Sequence, residues 1–364
     1  MQKNKDEKSK KTLTEIEGVA QPDKINQKSI NFIKRKRIKQ PSVEEFIQEI
    51  ISGNISFLSR AITLIESSNP KHQEKANKIL EGCLPHANNS YRIGITGVPG
   101  VGKSTFIESF GNELTKKGHK VAVLAIDPSS SINKGSILGD KTRMETLVNN
   151  PKAFIRPSPS GESLGGVAQK TRETIILCEA AGYSHIIVET VGVGQSETMV
   201  HSMVDFFLLL KVAGTGDELQ GIKRGIIEMA DAIAINKADG DNIKRAKQAK
   251  LDFSKALHLY PLKENGWTPK VLTCSGLNNL GVLEIISMIE SFFETTKANN
   301  YFTKRRESQN HFWFQQTIED ALKRQFFENN NVKNKISDLE SSINQHKLTP
   351  FEAAKQLLEL YFMK

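Results

Sequence analysis

From Tyr91 to about Phe293, short apolar runs alternate with longer mixed segments, the rhythm of strands joined by crossover helices. The runs predict strands over Arg92–Thr96, Val121–Ile126, Ala153–Arg156, His185–Thr190, Asp205–Val212, Ala232–Asn236 and Val271–Thr273. VAVLAI, HIIVET, FFLLLKV and AIAIN are apolar without alternation, as strands covered on both faces should be. The expected fold class is therefore α/β, a doubly wound, mostly parallel sheet flanked by helices.

Helical periodicity brackets this region. Ser42 is placed to cap a helix with Glu44 and Glu45 in its first turn, and Phe46, Ile47, Ile50 and Ile51 on one face. A second helix is expected after Gly53 with Ile55, Leu58, Ile62 and Ile65, and a third from Pro70. Thr349-Pro350 starts a C-terminal helix with Phe351, Ala354, Leu357, Leu358 and Tyr361 on one stripe. That stripe suits either a dimerisation arm or packing within the chain. The resulting division is a basic flexible tail (1–40), an N-terminal helical subdomain (41–90), a nucleotide-binding domain (91–300) and a helical C-terminal region (301–364).

Charge changes the picture only at the N-terminus. Of the net charge of +9, a surplus of seven lies in residues 1–40, where twelve Lys/Arg face five Asp/Glu, so the remainder is nearly neutral. This disfavours DNA as a partner of the globular part. The tail carries Asp6, Glu7, Glu15 and Glu17 and no apolar core of a targeting signal, and no apolar run exceeds strand length, so a cytoplasmic chain that does not enter a membrane is expected. Cys83, Cys178 and Cys274 are dispersed, as are the eight histidines, which leaves no cysteine or histidine cluster for a metal.

The chemistry-bearing segments follow predicted strands. Gly97-Val98-Pro99-Gly100-Val101-Gly102-Lys103-Ser104 fits the phosphate-loop pattern G-x-x-x-x-G-K-S/T between a strand and a helix, which makes the domain a P-loop NTPase. Glycines let backbone N–H groups turn onto phosphate oxygens, and the following helix adds its positive end. Lys103 is expected to neutralise the β- and γ-phosphates, Ser104 to hold Mg²⁺, and Thr105 to support the α-phosphate. Asp127 ends VAVLAI at the carboxyl edge, where ligands of such sheets bind, and is a Mg²⁺ candidate or an ordinary turn residue. Asp140 is a second candidate.

Glu189 ends another strand and leads into Gly192, Gly194 and Gln195, the pattern of a γ-phosphate-sensing loop, with Gln195 a candidate to orient the attacking water. Asn236-Lys237-Ala238-Asp239 fits N-K-x-D. A carboxylate accepts from both N1–H and the amine of guanine, a donor pair adenine lacks, so GTP is expected over ATP. Ser275-Gly276-Leu277 would complete the base pocket with backbone amides.

In this order, GITGVPGVGKST, AIDPSSSINKGSILGDKTRM, FIRPSPSGESLGGVA, VETVGVGQSE, AGTGDELQGIKRGI and NKADGDN resemble the methylmalonyl-CoA mutase-associated GTPase family, the MeaB/ArgK type, over about residues 42–362. The resemblance implies a homodimer built through C-terminal helices. It implies a GTPase that protects and reactivates an adenosylcobalamin-dependent acyl-CoA mutase, with GTP gating cofactor loading, and so contact with adenosylcobalamin only through that partner. It also implies a Mg²⁺ shell of Ser104, Asp127, Asp140 and Glu189, with Lys103, Asp127, Glu189 and Lys223 as catalytic groups. The segment Gly216–Lys223, with Asp217, Gln220 and Lys223, would be an additional switch read by the mutase. A metallochaperone GTPase and a kinase or ATPase linked to amino-acid transport are the alternative readings. The basic tail lies outside the resemblance.

Overall fold

In the computed structural model, residues 41–126, 144–157, 164–190, 195–214 and 224–362 are described. Three helices come first: α1 (Val43–Ile51), α2 (Ile55–Glu66) and α3 (Pro70–Cys83). Asn54 caps α2 by accepting from the Ser56 and Phe57 amides, and Asn69 caps α3 by accepting from Lys71 N, with Pro70 in the first turn, where its missing N–H costs nothing.

Seven strands follow, β1 (Tyr91–Thr96), β2 (Val121–Ile126), β3 (Ala153–Arg156), β4 (His185–Thr190), β5 (Phe206–Val212), β6 (Ala232–Asn236) and β7 (Lys270–Thr273). Between them run α4 (Lys103–Lys116), α5 (Glu145–Val148), α6 (Leu164–Ala180), α7 (Gln195–His201), α8 (Arg224–Met229) and α9 (Ile243–Leu257). After β7 come α10 (Val282–Ala298), α11 (Tyr301–Glu328), α12 (Asn330–Asn344) and α13 (Pro350–Phe362). Each predicted strand is present, with an end displaced by one residue at most.

The strands form one sheet in the order β3-β2-β4-β1-β5-β6-β7, and every pair is parallel. Alternate residues of β2 divide between two cores. Ala122, Leu124 and Ile126 face the layer of α1–α3 and α6, while Val121 and Val123 face α4 and α10. A third cluster packs β5 and β6 on α9 through Ile233, Ile235 and Phe253. Burial on both faces explains the lack of alternation in these strands. The chain leaves β1 toward β2 and leaves β5 toward β6, so the connections diverge between these neighbours. That divergence places a crevice at their carboxyl ends.

The C-terminal helices pack less completely. Of the 28 residues of α11, only Arg306, Gln309 and Trp313 are buried. In α13 the buried position is Ala353, and of the predicted stripe only Leu357 and Tyr361 are even half-buried. Phe351, Ala354 and Leu358 are exposed, so the covered line runs through Ala353, Leu357 and Tyr361 and takes in only part of the predicted stripe. No described helix is long and apolar enough to cross a membrane.

Candidate functional site

The loop Gly97–Gly102 joins β1 to α4 at this crevice. A Cβ added at Gly97 would lie 2.6 Å from Leu210 O of β5, so the loop is seated directly on the neighbouring strand. Gly100 and Gly102 take φ of 82° and 89°, which only glycine adopts without strain. Gly102 is the N-cap of α4 and supplies no side-chain acceptor, so the first-turn N–H groups of Lys103, Ser104 and Thr105 face outward. Lys103 Nζ rests on Gly97 O at 2.7 Å and Val98 O at 3.4 Å, across the mouth of the loop. Val101 is buried and anchors the loop, whereas Val98 is exposed. A ring of amides, a helix N-terminus and one ammonium fit a polyphosphate.

Glu189 is the penultimate residue of β4, aligned with Ile95 of β1 and Ala125 of β2, and is nearly buried. Beside it, Thr190 donates its hydroxyl to Thr96 Oγ1 at 2.8 Å, tying the ends of β4 and β1 together. Among the described residues no three His, Cys, Asp or Glu converge as a ready cation cage. The Ser104 hydroxyl and the Glu189 carboxylate are groups that could hold Mg²⁺ beside phosphate oxygens, since that cation keeps several waters and binds few protein groups. Asp127, Asp140, Gly192, Gly194, Asp217, Gln220 and Lys223 lie outside the described residues. Gln195 is the first residue of α7.

The base-reading motif meets the phosphate loop through Asn236. Its side chain is buried at the end of β6, where Nδ2 donates to Val101 O at 2.9 Å and Gly102 O at 3.4 Å. Its Oδ1 accepts from Gly276 N at 3.0 Å. Lys237, at φ 55°, reaches Gly100 O with Nζ at 2.9 Å, and Asn242 Nδ2 holds the Lys237 carbonyl at 2.9 Å. Asp239 accepts from the Ser275 hydroxyl, which fixes one carboxylate oxygen. Ser275 and Leu280 close a small loop by exchanging backbone hydrogen bonds of 2.9 and 3.1 Å, leaving Leu277 at its tip 79% exposed. Gly276 sits against the Phe106 backbone of α4, where an added Cβ would come within 2.8 Å, and its carbonyl accepts from the Ser109 hydroxyl.

Phosphate loop, N-K-x-D segment and the Ser275–Leu277 loop thus share one corner of the sheet. Burial pushes the Cys274 thiol up to about 12, so this neighbour is an inert filler. Sequence reasoning missed Ser109, Asn242 and the Thr96–Thr190 pair. Asn242, three residues after Asp239, had a local signal in the turn-forming run Asp239-Gly240-Asp241-Asn242. The other contacts join residues far apart in sequence and had none.

The family model described as methylmalonyl Co-A mutase-associated GTPase MeaB matches residues 58–331. A probable GTPase of Mycobacterium tuberculosis (strain H37Rv) is 47% identical over 319 residues, covering 88% of this chain and 95% of that protein. The mitochondrial methylmalonic aciduria type A homolog of Mus musculus is 40% identical over 333 residues, covering 89% and 80%. A crystal structure described as a LAO/AO transport system kinase superposes with a TM-score of 0.71 at 38% identity, covering 89% of this chain and 99% of that one.

Proposed function

Because the chain belongs to the methylmalonyl-CoA mutase-associated GTPase MeaB family, we propose that it is a Mg²⁺-dependent GTP switch that protects and reactivates an adenosylcobalamin-dependent acyl-CoA mutase and gates loading of its cofactor. Methylmalonyl-CoA mutase is the leading client. The observation that carries this reading is the Asn236 clamp. One buried amide bonds the phosphate loop at Val101 and Gly102 and the base loop at Gly276, so triphosphate and purine are gripped by one rigid unit.

In this reading Lys103 leaves the Gly97 and Val98 carbonyls to neutralise the β- and γ-phosphates. Thr105 supports the α-phosphate from the first turn of α4. Ser104 and Glu189, with Asp127 and Asp140, hold Mg²⁺ directly or through water, and the cation supplies charge neutralisation during phosphoryl transfer. Asp239, oriented by Ser275, reads N1–H and the amine of guanine, while the Ser275–Leu277 amides close the pocket. Gly192, Gly194 and Gln195 sense the γ-phosphate, and Asp217, Gln220 and Lys223 form the segment on which the mutase acts. Residues 301–364 serve as a homodimer arm. Support for that comes from Phe314, Leu322, Phe351 and Phe362, each at least 58% exposed, more apolar surface than a solvated helix pair needs. We place the protein in the cytoplasm.

The deciding experiment is a phosphate-release assay with GTP and with ATP, alone and with a candidate mutase. GTP turnover that the mutase stimulates, and that loses only the stimulation in Lys223→Ala, is the expected result. Equal loss with and without mutase would remove Lys223 from the switch. Phosphoryl transfer to an acceptor other than water would favour the kinase reading.

A further inference from the structure

One large cavity among the described residues lies away from the nucleotide corner. It is a half-open groove of about 860 Å³ at the amino edge of β5, β6 and β7, where Asp205, Asp231 and Pro269 precede those strands. It runs on into a hollow of about 490 Å³ beside α11, with His201, Glu264, Tyr301 and Arg305 common to both. Volumes of roughly 300–1,000 Å³ are those of small-molecule sites.

The lining is selective. Tyr260, Leu262, Trp267 and Tyr301 supply flat and apolar wall, and the Trp267 indole is fixed by donating to Asp231 O at 2.9 Å. Lys263 is neutralised within the fold, by Asp231 at 3.0 Å and by the Met229 and Ala230 carbonyls at the end of α8. Arg305 differs. Its three hydrogen bonds, to Val204 O at 3.1 Å, His201 O at 3.0 Å and His201 Nε2 at 3.1 Å, all go to uncharged acceptors. The guanidinium therefore brings to the groove a charge that these partners do not cancel. Exposed Glu228 and Glu264 also line it, and they disfavour a polyanion.

The groove also touches the two helices nearest the proposed switch segments. Thr198 and His201 belong to α7, which begins directly after Val191–Gly194, and Gly225 and Ile227 belong to α8, which begins directly after Lys223. The end of α7 and the entry to β5 are held in turn by α11, through Arg305 on His201 O and Val204 O, Gln309 on Val204 O at 2.7 Å and Trp313 on Ser202 O at 3.2 Å.

We propose that this groove binds a small amphipathic organic monoanion, an aromatic or acyl body bearing one carboxylate or sulfonate. The head sits on Arg305 and the body lies against Trp267 and Tyr260, and occupancy changes the rate of GTP hydrolysis through α7 and α8. Binding stands independently of the reading above; only the change in rate rests on its GTPase activity.

The test uses anilinonaphthalene sulfonate as the probe, titrated into the full chain and followed by tryptophan-to-probe energy transfer, with calorimetric GTP uptake and phosphate release measured on the same samples. Leu262, 87% exposed on the groove lip, is changed to Glu, which opposes the head without disturbing packing. Gly225→Leu is the second variant, since Gly225 lines the groove and a Cβ there meets nothing within 4 Å. The expected result is one-to-one binding weakened about tenfold or more by either variant, unchanged GTP uptake in Leu262→Glu, and a probe-dependent turnover seen only in wild type. Equal binding in wild type and both variants, or loss of binding in the arm variant Phe314→Ser instead, overturns the groove. Binding without any change in turnover overturns its control of hydrolysis. Failure of GTP uptake with probe binding intact would sink the GTPase reading and leave the groove standing.

Discussion

The buried arginines at the amino edge of the sheet and the lysines of the nucleotide corner handle charge in different ways. At the amino edge, two buried arginines are cancelled inside the fold. Arg92, 1% exposed, makes a two-pronged contact with Glu179 at 2.8 and 3.0 Å, while Ser90 and the Asn88 amide bond the same carboxylate. Arg306 of α11 does the same for Asp205 at 2.9 and 2.8 Å. Burial by itself would raise both acids, but these guanidiniums and hydrogen bonds hold them below the usual carboxylate range. At the carboxyl edge, Lys237 rests on the Gly100 carbonyl, and Lys103 donates to the Gly97 and Val98 carbonyls. A cation lying on a carbonyl dipole, as Lys237 does, keeps most of its attraction for an incoming anion, whereas one locked to a carboxylate does not. The Arg92 and Arg306 pairs hold the molecule together, whereas the corner at the carboxyl edge is shaped to receive a nucleotide.

This contrast is broken most severely at Lys103. Lys103→Ala is expected to lower phosphate release by about a thousandfold or more while leaving the circular dichroism spectrum intact. Wild-type turnover would end its assignment to the phosphates. Next, Asp239→Ala should cost about a hundredfold or more in preference for GTP over other purine triphosphates, read by competition binding, because the groups that meet guanine donors are then missing.

On the opposite edge the expected losses are of stability. Asp205→Ala strands Arg306 in the interior and should destabilise by about 3–5 kcal/mol, measured from the denaturant midpoint; a loss near zero would mean the pair is dispensable. The smallest effect is on pH dependence. Burial, aided by His119 and Lys117, lowers His185 to about 3, and burial with Arg305 and Lys263 lowers His201 to about 3. The unfolded chain takes up these protons below about pH 6.5 and the folded chain does not. Their contribution to stability is therefore complete above that pH and is lost as pH falls toward 3. Glu179 and Asp205, also depressed, add to the loss at the acid end. His185→Phe should flatten the slope of melting temperature against pH within that window, and an unchanged slope would show that His185 titrates normally.

Much of this organisation was written locally. Strands buried on both faces need unbroken apolar runs, so β2, β4, β5 and β6 declared themselves. A phosphate cradle needs glycines at fixed spacing before a helix, so Gly97–Ser104 did the same. The C-terminal stripe was half legible: periodicity marked a helix over Pro350–Phe362, but which face α12 covers depends on how two helices meet, and Ala353 became the buried position rather than Phe351.

The sequence by itself determined the strands, the order of the motifs and hence the class of nucleotide chemistry, since each depends on neighbours within a few residues. Only the tertiary structure decided that Asn236 would join loops 135 and 40 positions away, that Arg92 would find Glu179 across 87 positions, and that a groove would open between α7, α8 and α11. Those outcomes belong to side chains brought together by strand order and helix packing, and spacing along the chain holds no record of which distant partner a buried amide or guanidinium will meet.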